Sequence, residues 1–132
     1  MGRRVILDSN ILIDIERDRE AHLSLNDADA VIAAVSVAEL RTGAYRASDQ
    51  SVSRDRIRRV SQLISQFDVL DYTAATAKHH ANLLTATARD GKPRGAHDLI
   101  IAAHAIETGR VLISRDASAR FGDLPEVLAE EP

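Results

Sequence analysis

The chain has 132 residues, of which 45% are hydrophobic and 28% are charged, and this composition is that of an ordinary globular protein. It excludes long disordered or collagen-like segments and favours a single domain, residues 1–132, because domains usually contain about 100–150 residues. The formal net charge of −3 excludes a protein that holds nucleic acid through bulk positive charge alone.

Short β-type runs alternate with helical patterns along the whole chain. In chain order, the predicted elements are a strand at Arg4–Asp8, a helix at about Asn10–Arg17, a strand at Ala30–Val35, helices from Ser36 to Ala47 and at Arg56–Gln66, a strand at Phe67–Asp71, helices at Ala74–Arg89 and from about His97 to Thr108, a strand at Arg110–Ser114 and a short fifth strand at Glu126–Leu128. Strands that alternate with helices form a parallel sheet covered on both faces, so the predicted fold class is α/β.

Four acidic side chains fall near the carboxyl edge of this predicted sheet. Asp8 ends the first strand, Asp116 lies two residues beyond the fourth, and Glu39 and Asp98 occupy the first turns of helices whose N-termini face the same edge. Because α/β sheets bind ligands outside the carboxyl ends of their strands, we expect these carboxylates to meet in one cleft. Their mutual repulsion favours a bound cation, and ligands that are all oxygen favour Mg²⁺ or Mn²⁺.

A divalent ion in such a cleft is suited to hydrolysis of a phosphodiester, because it lowers the pKa of bound water and offsets the charge of the transition state. Removing the four carboxylates changes the formal net charge from −3 to +1. The acidity of the chain therefore resides mainly in the cleft, and a metal-loaded cleft can accept a polyanion.

Each carboxylate also has a purely structural interpretation. Ser36-Val-Ala-Glu39 matches the capping box, in which a serine caps a helix and a glutamate reaches back to it. Asp98 suits a helix N-terminus, and Asp116 and Asp8 are placed to cap the segments that follow them. The functional interpretation is favoured for Asp8, which follows three buried aliphatic residues, and both interpretations stay open for the other three.

Several further residues have simple interpretations. His79 and His80 are adjacent on a helix, so we expect surface or partly buried histidines and not a chelate. Asp14 lies six residues after Asp8 and has the option of pointing back toward the cleft, but an exposed helical acid is the favoured expectation. A basic run is expected to form a solvated face with the capacity to meet RNA or an acidic partner: Arg54, Arg56, Arg58 and Arg59. Apolar residues of the early helices are expected in the core or at a partner interface: Ile11, Leu12, Ile15, Leu23 and Leu25.

No segment predicts export or membrane insertion. The longest apolar stretches, Ala30–Val35 and Leu99–Ala103, fall far short of the roughly 20 residues that span a bilayer. Asp8 interrupts the apolar run that follows the N-terminal arginine pair, which excludes a secretory signal there. The absence of cysteine excludes disulfides and thiolate zinc sites and, with the other features, predicts a cytoplasmic protein.

Four motifs in this order resemble those of the PIN-domain ribonucleases, in particular the VapC toxins of bacterial toxin–antitoxin pairs. The motifs span nearly the whole chain and are Val5-Ile-Leu-Asp-Ser-Asn-Ile-Leu-Ile13, Ser36-Val-Ala-Glu-Leu-Arg-Thr-Gly43, His97-Asp-Leu-Ile-Ile-Ala-Ala103 and Val111-Leu-Ile-Ser-Arg-Asp116. No single motif is specific for this family, but the occurrence of all four in this order in a chain of this size is. The resemblance implies a three-layer α/β/α sandwich around a parallel sheet and metal-dependent endonucleolytic cleavage of RNA.

The resemblance also implies roles for individual residues. It implies a catalytic carboxylate set that binds Mg²⁺ or Mn²⁺ and comprises Asp8, Glu39, Asp98 and Asp116. Asn10 and Ser114 match positions that, in the family, hydrogen-bond the acidic cluster or its water. The family further implies a homodimer and a small antitoxin protein whose tail lies across the cleft and offers an arginine to the carboxylates.

Two other classes of protein share part of this pattern. A phosphoacceptor signalling domain needs a lysine after a late strand, but the two lysines, Lys78 and Lys92, fall in a predicted helix and loop. A non-catalytic binding module would use the four acids only as helix caps. Titration with Mn²⁺ distinguishes these alternatives from a metal-dependent enzyme, because capping acids form no saturable metal site.

Overall fold

The computed structural model describes residues 2–17 and 27–132. Five strands and five α-helices make up its regular structure, in the order β1 (Arg4–Leu7), α1 (Ser9–Glu16), β2 (Asp29–Ala33), α2 (Ala34–Tyr45), α3 (Gln50–Ile64), β3 (Asp68–Leu70), α4 (Ala74–Asp90), α5 (Ala96–Thr108), β4 (Val111–Ile113) and β5 (Ala129–Glu130). Two 3₁₀ turns, Ala117–Ala119 and Phe121–Asp123, lie between β4 and β5. Within the described ranges, no helix has the length and apolar character needed to cross a membrane.

All strand pairs are parallel, and the strand order is β3-β2-β1-β4-β5. The chain runs outward from β1 to β3 and then returns to the other side of β1 to form β4. This reversal creates a crevice at the carboxyl ends of β1 and β4, which is where α/β sheets bind ligands. Leu7 pairs with Ile113, and the Asp8 amide donates to the Ile113 carbonyl at 3.0 Å, so Asp8 and Ser114 leave the sheet side by side.

Alternating side chains of the central strands supply two apolar layers, one on each face of the sheet. Val5, Leu7 and Ile113 pack with residues of α1, α2 and α3. Ile6 and Leu112 pack with residues of α4 and α5 on the opposite face. The two helical layers enclose the sheet, which confirms the predicted α/β sandwich.

The predicted start of α2 and the capping box at Ser36 are wrong. The helix begins at Ala34, its N-cap is Ala33 with no side-chain cap, and the Ser36 hydroxyl is buried without a hydrogen-bond partner. A run rich in alanine after a strand can either continue the strand or begin a helix. The high helix propensity of alanine favours an earlier helix start here. Glu39 consequently lies in the second turn of α2 and not in the first.

Two further boundaries differ from prediction. Helix α3 starts six residues earlier than expected, at Gln50, because Asp49 caps it by accepting hydrogen bonds from the amides of Ser51 and Val52. The fifth strand lies at Ala129–Glu130 and not at Glu126–Leu128, since Glu126 has a left-handed φ of 66° that is incompatible with a strand.

The apolar residues of the early helices divide between core and periphery. Ile11 and Leu12 are fully buried, and Ile15 packs against the same cluster. Leu23 and Leu25 lie outside the described residues.

Candidate active site

A cavity of about 400 Å³ opens at the carboxyl edge of the sheet. We call it the acidic cavity, and its lining residues are Asp8, Ser9, Asn10, Glu39, Asp98, Arg115 and Asp116. All four carboxylates predicted to converge line this one cavity. They come from four separate segments: the end of β1, α2, α5 and the loop after β4.

Asp8 is buried and held by three hydrogen bonds. Its Oδ1 accepts from the Ser9 amide at 2.8 Å, so it caps α1. Its Oδ2 accepts from the Ser114 hydroxyl at 2.8 Å and from the Asn10 side-chain amide at 3.2 Å. Capping and lining the cavity therefore coexist at this residue, and the carboxylate has one fixed orientation.

Asn10 and Ser114 join α1 to the loop after β4. The Ser114 hydroxyl donates to Asp8 while it accepts from Asn10 Nδ2 at 3.1 Å and from the Asp116 amide at 3.0 Å, which uses its full hydrogen-bonding capacity. Asn10 Oδ1 accepts from the Arg115 amide at 3.0 Å. Both residues thus contact the acidic cluster directly, at positions where the family resemblance implied such a contact.

Glu39 and Asp98 line the cavity from two different helices, α2 and α5. Burial raises the pKa of Glu39; His97 opposes this rise, and the carboxylates of Asp8 and Asp98 add to it. Burial also raises the pKa of Asp98, with Asp8 and Asp116 adding to the rise. Glu39 Oε1 is buried without a hydrogen-bond partner, and Oε2 lies 3.8 Å from His97 Nδ1. The ionised forms of Glu39 and Asp98 are therefore less favourable in this cavity than in water.

Asp98 occupies the first turn of α5, as predicted, and Gly95 is the N-cap of that helix. A Cβ at position 95 would lie 2.9 Å from Asp98 Oδ2. Glycine therefore leaves the space in which this carboxylate lies.

Asp116 is exposed at the mouth of the cavity. Its Oδ1 accepts from the Ser118 amide at 3.0 Å and caps the 3₁₀ turn that follows, so the capping interpretation is confirmed for this residue. Its charge adds to the rise that burial causes in the pKa of Asp98.

Comparison with known proteins places the chain in one family. Residues 5–125 match the model of the PIN domain. The chain belongs to the PIN-domain family. It is 30% identical over 117 residues to the tRNA(fMet)-specific endonuclease VapC of Shigella flexneri, a match that covers 86% of each chain.

Solved structures resemble this PIN domain over nearly its whole length. The DNA-bound VapBC of Salmonella typhimurium matches with a TM-score of 0.85 and 26% identity, covering 99% of this chain and 98% of that one. VapBC2 of Rickettsia felis, bound to a promoter fragment, has the same fold with a TM-score of 0.85 at 20% identity and 98% coverage of both chains. The resemblance to VapC-type PIN domains is confirmed.

The PIN domain contains one ion pair at the acidic cavity that sequence analysis missed. Asp14 was expected to be exposed, but it is buried, and its Oδ2 lies 2.6 Å from Arg115 Nη2. The signal was present, because Asp14 is three residues after Ile11 and one before Ile15, on the inward stripe of α1. An acid on an apolar stripe requires a cationic or hydrogen-bonding partner.

A second cavity, of about 700 Å³, lies between α1, α2 and α3 and shares Ser9 and Glu39 with the acidic cavity. We call it the helical groove. Its apolar lining includes Ile13, Leu40, Val60 and Leu63. Its basic lining residues are Arg17, Arg56 and Arg59, and its acidic lining residues are Glu39 and Glu16, whose carboxylate lies 3.4 Å from Arg59 Nε. Part of the predicted basic run therefore borders an apolar groove that leads to the carboxylates.

The remaining members of the basic run and the histidine pair match their expected exposure. Arg54 and Arg58 are exposed on α3. His79 and His80 are partly buried, and His80 Nδ1 is 2.8 Å from the Tyr72 hydroxyl. Neither histidine lines the acidic cavity.

The donor set of the PIN domain fits a hard divalent cation. Within residues 2–17 and 27–132, no three Asp, Glu or His side chains are already closed around a common ion position. The cavity nevertheless holds four carboxylates, an unpartnered buried Glu39 oxygen and two raised carboxyl pKa values. A cation with oxygen ligands would relieve all three conditions, and Mg²⁺ and Mn²⁺ are such cations.

The raised pKa of Asp98 predicts that Asp98→Asn stabilises the metal-free protein at neutral pH. A carboxyl group whose pKa is raised by folding stabilises the folded state below its ordinary pKa of 3.8, and that stability is lost as the pH rises through the raised value. In EDTA at pH 7 we expect Asp98→Asn to melt a few degrees above the wild type in differential scanning fluorimetry. The difference should shrink toward pH 4, and an equal or lower melting temperature at pH 7 would contradict the charge repulsion described here.

Proposed function

We propose that this PIN domain is a divalent-metal-dependent endoribonuclease that acts as the toxin of a toxin–antitoxin pair. The observation that carries the proposal is the convergence of Asp8, Glu39, Asp98 and Asp116 in one cavity at the switch point of the sheet. The similarity of this chain to a VapC relative named as an endonuclease, over 86% of each chain, supports the ribonuclease class.

Each side chain has a role in this proposal. Asp8, Glu39, Asp98 and Asp116 would hold Mg²⁺ or Mn²⁺, which when bound supplies an acidified water and offsets phosphate charge. Asn10 and Ser114 keep the Asp8 carboxylate in its orientation through the hydrogen bonds described above.

Glu39 is the residue best suited to accept a proton from water attacking the phosphodiester. Its Oε1 is buried and has no hydrogen-bond partner among the described residues, so this oxygen is free to accept a proton.

We further propose that an antitoxin protein occupies the helical groove. Similarity to VapBC structures supports a protein partner. An apolar groove lined by three arginines and two glutamates has a net positive charge, which suits an amphipathic helix that carries acidic residues. From that groove a partner's arginine could reach Glu39, which lines both cavities, and so occupy the position of a cation. The homodimer, the single domain and the cytoplasmic location remain predictions from the sequence.

The signalling alternative receives no support from the cavity. Lys78 lies in α4 and Lys92 in the loop before α5, as predicted, and neither lines the acidic cavity. The structure therefore offers no lysine at the place where a phosphoacceptor domain needs one.

Cleavage of total RNA by the purified protein tests the proposed function. We expect cleavage with Mg²⁺ or Mn²⁺, none with EDTA, and none with Asp98→Asn, since this variant loses a metal-binding charge but keeps the side-chain shape. Asp71→Asn, the same substitution at an exposed position outside the cavity, is the matched control and should cleave as the wild type does. Full cleavage by a folded Asp98→Asn variant, or in EDTA, would refute the proposal.

A further inference from the structure

We infer that Arg115 is a phosphate-binding residue of the acidic cavity and that the buried carboxylate of Asp14 positions it. The inference rests on the proposed function for the identity of its ligand, an RNA phosphate. Arg115 is the one cationic side chain among the described residues that line this cavity.

The placement of Arg115 combines a fixed main chain with an accessible side chain. Its amide donates to Asn10 Oδ1, and Asn10 also bonds Asp8, so the backbone of Arg115 is tied to the carboxylate cluster. The side chain is 44% exposed and is therefore open to a ligand from solvent.

Asp14 gives the guanidinium a defined orientation. The Asp14 side chain is only 6% exposed, and its Oδ2 contacts Arg115 Nη2 at 2.6 Å. The position lies on the inward stripe of α1 with Ile11 and Ile15, where burial of an apolar side chain would cost less free energy than burial of a carboxylate. A carboxylate at such a position is explained if its contribution is to hold the arginine in place.

A guanidinium held in this way is well suited to a phosphate. It has five N–H donors in a planar fork, and the contact with Asp14 engages one of its nitrogens. RNA that enters the cavity approaches four carboxylates, and a divalent cation offsets only part of their negative charge. A guanidinium at the same cavity supplies direct hydrogen bonds to the phosphate oxygens, which are stronger when both partners are charged.

Binding of a short fluorescent single-stranded RNA, measured by anisotropy in EDTA over a range of NaCl concentrations, tests the role of Arg115. We expect Arg115→Ala to weaken binding by about tenfold to hundredfold. The slope of log affinity against log salt should fall by roughly 0.7, the value for one lost phosphate contact. Arg115→Lys should restore the slope but not the full affinity, because an ammonium lacks the planar fork.

A matched control removes the same charge elsewhere. Arg89→Ala changes an exposed arginine in the last turn of α4 that lies outside the basic run and lines neither cavity, so its affinity and salt slope should stay close to those of the wild type. In cleavage assays with Mn²⁺, Arg115→Ala should raise KM more than it lowers kcat. A purely structural role in the loop that carries Asp116 would instead lower kcat.

A double-mutant cycle tests the role of Asp14. Asp14→Asn should weaken RNA binding in the wild-type background and cause no further loss in the Arg115→Ala background, because Asp14 acts through Arg115. The double variant also leaves no unpaired charge at the Asp14 position, so its RNA binding can still be measured if Arg115→Ala alone fails to fold.

The outcomes separate this inference from the proposed function. Wild-type affinity and salt slope in folded Arg115→Ala, or in the double variant, would overturn the inference, and equal losses from Asp14→Asn in both backgrounds would overturn the role of Asp14. RNA binding that depends on Arg115 in a protein that cleaves no RNA with Mg²⁺ or Mn²⁺ would support the phosphate contact and refute the nuclease.

Discussion

Replacing Asp8 with asparagine should lower the rate of RNA cleavage by roughly a thousandfold, the loss expected when several kcal/mol of metal-dependent stabilisation disappear. Asp8 directly follows the central strand, is 4% exposed and accepts hydrogen bonds from Ser9, Asn10 and Ser114. Asparagine preserves the shape and the cap on α1 but removes the charge. It also turns one acceptor into a donor beside groups that already donate. Single-turnover cleavage of a defined RNA with Mn²⁺ measures the effect.

The matched control for this variant is Asp49→Asn. Asp49 also caps a helix, by accepting from the Ser51 amide at 2.8 Å, but it lines neither cavity. We expect it to retain wild-type cleavage, whereas a folded Asp8→Asn variant with more than a tenth of wild-type activity would contradict the assignment of Asp8.

Replacing Leu112 with alanine should lower the free energy of unfolding by about 2–5 kcal/mol, through lost burial and the cavity left behind. Leu112 is fully buried in β4, pairs with Ile6 across the sheet and packs in the layer beneath α4 and α5. Because β4 connects β1 to β5, little backbone movement can refill the space. Equilibrium unfolding in urea measures the change.

Leu128→Ala is the control for this stability prediction. Leu128 is 67% exposed, and its backbone carbonyl accepts the Leu112 amide at 2.8 Å, a contact that alanine keeps. The control should change stability by less than about 0.5 kcal/mol. A loss of under about 1 kcal/mol for Leu112→Ala would show that the layer beneath α4 and α5 is less tightly packed than described.

The fold and the convergence of the carboxylates were predictable because both depend on local patterns. Aliphatic runs such as Val5–Leu7 end at acids, and parallel strands bring their carboxyl ends to one edge. Gly91 and Gly109 end α4 and α5 in left-handed conformations, with φ of 66° and 64°, as expected for glycines at helix ends.

Features that depend on tertiary contacts were not predictable in the same way. The start of α2 at Ala34 could not be predicted from the sequence, because the alanines there are compatible with either a strand or a helix. The position of β5 depends on its pairing with β4. The ion pair between Asp14 and Arg115 joins residues about 100 positions apart in the chain, so the apolar stripe of α1 indicates only that Asp14 needs a partner.

Calorimetric titration of Mn²⁺ into the purified protein tests most directly whether the four carboxylates form a metal site. We predict a saturable binding site in the wild type and in Asp71→Asn that is lost in Asp8→Asn and Asp98→Asn. Absence of saturable binding in the folded wild type, or equal binding in folded Asp98→Asn, would contradict the account.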